Sequence, residues 1–96
     1  MKMLKEQKVV IQNQSIEEDN NEGLHALLGK QVTFFCAVYI YTGKLVGINN
    51  TCIKLENPKI VYETGAFTTK DWKDAQALPN EMYIQVAMIE SFGIVK

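Results

Sequence analysis

Tyr41-Thr42-Gly43-Lys44-Leu45-Val46-Gly47-Ile48-Asn49-Asn50 is the stretch that decides the fold. It follows an alternating strand pattern and leads into another, so it reads as a tight hairpin with its first turn at Thr42-Gly43. Gly43 and Gly47 stand inside strand-like sequence, where glycine weakens pairing unless the chain must bend or bulge. Strongly bent strands joined by short turns are what a small closed barrel requires.

Upstream of this stretch the period is two. Val32, Phe34, Cys36, Val38 and Ile40 share one face of a strand from about 31 to 40, predicted to point inward. The opposite face is only half polar, and Phe35, Ala37 and Tyr39 imply that it too is covered. Downstream, Lys44 to Ile48 is the second strand and Asn49-Asn50 the second turn, since asparagine tolerates left-handed backbone. Thr51 to Glu56 is the third strand, with Thr51, Ile53 and Leu55 inward. Ile60-Val61-Tyr62 resumes it, so Pro58 marks a bulge, a bend or an edge.

Residues 64–80 have no strand period, and a helical turn from Lys70 to Ala75 capped by Thr69 fits them. A connection this long in a small domain is functional, mobile or packed on something. Its Trp72 reads either as an anchor for a partner or, with Phe67, as a plug for the barrel end. Met82 to Met88 is the fourth strand and Glu90 to Val95 the fifth.

The first 20 residues form an arm or linker. Val9 to Gln12 is either a short strand or part of that arm, and Glu17-Glu18-Asp19 reads as a solvated acidic run before a helix. Asn20 or Asn21 caps a two-turn helix over about 21–28, with Leu24, Leu27 and Leu28 on one face and Gly29 as its stop. Residues 21–96 are then the folded domain.

The chain has 96 residues, 47% of them hydrophobic, which suits one globular domain with a modest core. Its net charge is −1, and every basic residue is a lysine. Generic polyanion binding shows a basic excess and favours arginine, so this composition argues against it. The N-terminal segment has no apolar run of a secretory signal, and no stretch is long enough for a membrane span, so a cytoplasmic location is expected. Cys36 and Cys52 make no CxxC pair and read as reduced core thiols. His25 has no cysteine or carboxylate at ligand spacing, so neither a metal nor another cofactor is expected. No phosphate loop or catalytic triad pattern is present, and the chain does not read as an enzyme.

A short helix followed by five bent antiparallel strands resembles the Sm-like (LSm) family. Leu28-Gly29-Lys30-Gln31-Val32, then Gly43, Leu45, Ile48, Asn49, Leu55 and Glu56, follow the order of that family's first motif. The resemblance covers residues 24–56, and 82–95 more weakly. It implies a small barrel whose copies join head to tail into a homo-oligomeric ring. The apolar strands supply Met82, Ile84, Val86, Ile94 and Val95 as the interface.

The family also implies a short single-stranded, uridine-rich RNA as ligand, held here by Asn49, Asn50 and Gln85 with help from Lys44 or Lys54. The departures fall on this site. Asn49 stands where the family has aspartate, the turn lacks the base-stacking aromatic, and Ile84-Gln85-Val86 replaces Ile-Arg-Gly. These departures favour the alternative of a structural or protein-interaction ring without nucleic acid. The asparagines and Gln85 also have plain readings, as turn chemistry and as a solvated strand residue.

Overall fold

The computed structural model describes residues 15–18 and 21–96. The readings made for Val9 to Gln12 and for Asp19 and Asn20 lie outside them. The fold is mainly β and antiparallel, as expected, but among the described residues it has six strands and they do not close into a barrel. The strands are β1 (Gln31–Cys36), β2 (Ile40–Ile48), β3 (Cys52–Glu63), β4 (Asp74–Ala77), β5 (Met82–Gln85) and β6 (Ile89–Gly93). The sheet runs β4-β3-β2-β1-β6, and β5 also pairs with β3. β3 serves two neighbours in succession: its first half pairs with β5 through Ile53↔Ile84, its second with β4 through Ile60↔Gln76.

The expected hairpin at Thr42-Gly43 is not a turn, because residues 40–48 form one strand. The turn lies at 37–39, where the Cys36 N–H donates to the Tyr39 carbonyl at 3.1 Å. Val38, expected inside, is 74% exposed there. The apolar alternation runs on through Cys36, Val38 and Ile40, and no glycine, proline, asparagine or aspartate marks the reversal. Gly43 serves a close approach instead. A Cβ on it would stand 3.1 Å from the Glu56 carbonyl oxygen and 3.2 Å from the Pro58 Cα.

Pro58 does sit at a bulge. The β2–β3 register passes from Thr42↔Lys59 to Lys44↔Glu56, so Asn57 and Pro58 together face Gly43. Asn57 takes a left-handed φ of 50°. A second irregularity between Leu45 and Gly47 gives Val46 no partner on β3. Bulges bend strands and increase their twist, and these two bend β2 against β3.

The predicted helix over 21–28 shrinks to one 3₁₀ turn, His25–Leu27. So few residues cannot hold an α-helix without extensive packing. Leu24 and Leu27 pack on the core, but Leu28 is 43% exposed. Gly29 takes the expected left-handed conformation, φ 85°. The helical turn expected over 70–75 does not form, and residues 74–77 are instead β4, whose Asp-Ala-Gln-Ala sequence carries no strand signal and whose conformation is imposed by pairing with β3. The fourth predicted strand stops at Gln85. Val86–Met88 make another 3₁₀ turn that leads the chain from β5 into β6, which pairs with β1.

Val32, Phe34, Leu45, Ile53, Leu55 and Ile84 form the core on one face of the sheet. Burying such side chains contributes about 1.5–3 kcal/mol each. The other face is covered as well. Thr33 and Thr42 are fully buried there, with Val61 beside them. The Thr33 hydroxyl donates to the Thr42 hydroxyl at 3.3 Å, and the latter donates to the Val32 carbonyl at 3.2 Å. No helix among the described residues is long and apolar enough to cross a membrane.

Candidate interaction surface

The β2–β3 turn is built on Asn49. Its Oδ1 accepts from the Thr51 N–H at 2.8 Å, the Cys52 N–H at 2.9 Å and the Thr51 hydroxyl at 3.1 Å. The Asn49 N–H donates to the Cys52 carbonyl at 2.9 Å. Asn49 is therefore engaged in holding the turn, with its acceptor occupied and only its amide NH2 left to face a ligand.

Asn50 is exposed at the tip of the turn. The Val86 N–H donates to the Thr51 carbonyl at 2.9 Å, which brings the end of β5 against this turn. Asn50 and Gln85 thereby line one shallow depression, together with Thr51, Ala87 and Tyr83. Tyr83 stands between that depression and a smaller one lined by Asn49, Cys52 and Lys54. It is 62% exposed, and the Lys54 ammonium lies 5.8 Å from its ring centroid.

Of the residues chosen from sequence for RNA, Asn50 and Gln85 meet in the larger depression, and Asn49 and Lys54 meet in the smaller. Lys44 lies elsewhere, paired in register with Gln31 and Glu56 and lining neither depression. Tyr83 was not singled out. The available signal was its place beside inward Ile84 on a period-two strand, which points it outward.

A second feature lies along β5. An apolar groove of about 270 Å³ runs between β5 and the β1–β2 turn, lined by Cys36, Val38, Tyr39, Tyr41, Met82 and Met88 among others. Tyr39 and Tyr41 meet edge to face, centroids 6.2 Å apart. Among the described residues β5 pairs with β3 alone and β6 with β1 alone, so each strand has one unpaired edge. Of the expected interface residues, Ile84 is in the core and Val86 packs against it. Met82 is half-buried at the groove, Ile94 is 59% exposed and Val95 is half-buried beyond β6.

Burial, and to a lesser extent the Glu90 carboxylate, pushes the Cys36 thiol above its ordinary pKa. Burial likewise raises Tyr41, with smaller contributions from Cys36 and Tyr39. Both cysteines are free, and a raised thiol pKa disfavours the nucleophilic thiolate. His25 contacts the Glu18 carboxylate at 3.0 Å on the surface. Among the described residues no group of three or more His, Cys, Asp or Glu side chains is placed to hold a metal. Trp72 is half-buried, and Phe67, its expected companion in a plug, is 53% exposed.

No protein-family model matches the chain, and no curated protein matches it significantly.

Proposed function

We propose that this chain is a self-assembling β protein whose copies join edge to edge, β5 of one against β6 of the next, in a closed Sm-like ring. The observation that carries this reading is the pair of unpaired strand edges on β5 and β6, with an apolar groove beside one of them. An unpaired edge is a template for another strand, and no proline or lysine blunts β5 or β6. Two different edges meeting head to tail form a heterologous contact, which closes into a ring when the rotation allows. The chain path keeps the two edges apart: β5 pairs with the first half of β3, a 3₁₀ turn follows, and β6 pairs with β1. Exposed Val38 and Met88 give the contact its apolar component.

The direct test is size-exclusion chromatography with light scattering. Wild-type protein runs as an oligomer, and Val38→Glu with Met88→Glu shifts it to monomer while circular dichroism stays the same. A wild-type monomer at tens of micromolar removes the reading.

Tyr83 favours a second role for the same ring, binding a short single-stranded RNA. An exposed ring beside Lys54, with Asn50 and Gln85 adjoining, has the parts of a base-stacking platform. Stacking on such a ring is worth about 1–3 kcal/mol per base. Oligouridine affinity at low salt, lost in Tyr83→Ala and weakened by added salt, is the expected result. If intact rings have no affinity at low salt, the chain is a structural or protein-interaction ring.

A further inference from the structure

Lys96 reaches back across the sheet to the loop between β3 and β4. Its ammonium donates to the Thr64 carbonyl at 2.8 Å, the Ala66 carbonyl at 2.9 Å and the Asp71 carbonyl at 3.0 Å. A primary ammonium has three donors, and all three are used. The same nitrogen stands 4.6 Å from the Trp72 ring centroid and 5.8 Å from that of Phe67. Aromatic faces attract a cation held in this way.

The loop is shaped for this contact. Gly65 has φ 68°, a backbone L side chains rarely adopt, and the flanking Thr64 and Ala66 carbonyls converge on one nitrogen. A Cβ on Gly65 would lie 3.2 Å from the Lys73 Cβ. The loop also braces itself without Lys96. The Lys73 N–H reaches the Thr64 carbonyl at 3.4 Å, and the Thr69 N–H reaches the Ala66 carbonyl at 3.0 Å.

We propose that residues 64–72 form a receptor for a primary alkylammonium group, which Lys96 fills within the chain and thereby straps residues 94–96 over the outer face of the sheet. Three carbonyls with two aromatic rings select –NH3⁺. Each N-methylation removes a donor, and acetylation removes the charge as well. A guanidinium is planar and cannot point three N–H groups at three convergent acceptors from one nitrogen. The site faces a depression bordered by Gln31, Thr42 and Lys59, so departure of Lys96 opens the cover over the buried threonine pair. The proposal does not depend on the ring.

The test has two arms. In native protein, Lys96 should react with an acetylating reagent about tenfold more slowly than exposed Lys59 and Lys70, because its donors are engaged. Mass spectrometry of partly acetylated protein reads this, and equal rates overturn the proposal. In Lys96→Ala, Trp72 fluorescence reports the vacated site, since Trp72 is the only tryptophan. n-Butylammonium should give a saturable spectral change, half-complete on the order of 10 mM for so small a ligand. Tetramethylammonium, with no N–H donor, should not. No saturable response in folded Lys96→Ala, or the same response to both cations, overturns the proposal. If Lys96→Ala does not fold, the acetylation rates decide.

Discussion

Gly43 lies against Pro58 across the β2–β3 pair so closely that a Cβ on residue 43 would be 3.2 Å from the Pro58 Cα, with the Glu56 carbonyl oxygen 3.1 Å away on the same side. Both obstacles are backbone atoms, so no side chain can rotate away to make room. The contact sits at the bulge that bends β3, and Pro58 there is fully buried. Gly43→Ala is therefore expected to cost about 1–3 kcal/mol through overpacking. Gly47→Ala is a fair comparison, because a Cβ there meets only the Lys54 Cβ at 3.4 Å, an ordinary contact. Urea denaturation of the two variants should place Gly43→Ala well below Gly47→Ala in midpoint.

Asn49 supplies one oxygen to three donors, and a carboxylate can do the same. Asn49→Asp should leave stability within ~0.5 kcal/mol of wild type, whereas Asn49→Ala should lose about 1 kcal/mol. Thermal melts of both variants check this. If Asn49 acted chiefly on a ligand, neither change would move the melting temperature.

The buried hydroxyl pair offers a cycle. Thr42→Val removes the acceptor of the Thr33 hydroxyl and leaves that group buried without its partner. Stranding it should cost about 1–3 kcal/mol. Thr33→Val with Thr42→Val removes both hydroxyls and should recover part of the loss. The non-additivity in denaturation free energies measures the coupling directly.

Cys36 and Tyr41 both have pKa values raised in the fold, chiefly by burial. The folded state then holds these protons more tightly than the unfolded chain does. Their contribution is fully present below the ordinary thiol and phenol range and is lost as pH rises through the raised values. Stability should fall on the alkaline side, and Cys36→Ser with Tyr41→Phe should flatten that fall. Alkylation of Cys36 should also run more slowly in native protein than in urea.

The β class was legible because Val32, Phe34, Ile53 and Leu55 alternate cleanly, and all of them are in the core. The turn at Asn49-Asn50 was legible because asparagine has a mechanism there, and the Asn49 oxygen performs it. The turn at 37–39 was hidden because Val38 continues the apolar alternation while pointing into solvent. β4 was hidden because pairing with β3, a property of distant residues, decides its conformation. The covered second face of β1 was legible in Phe35 and Ala37, and Thr42 satisfies the Thr33 hydroxyl there and allows full burial. Asn50 and Gln85, joined in one site by the family resemblance alone, line one depression, whereas the Lys96 contact spans 32 residues to Thr64 with no motif to announce it.

The mass of the wild-type particle across a dilution series bears most directly on the account. Light scattering behind size-exclusion chromatography should give an integral multiple of the 10.9 kDa chain at tens of micromolar, falling towards monomer on dilution. A particle of single-chain mass that stays folded at every concentration would contradict edge-to-edge assembly through β5 and β6.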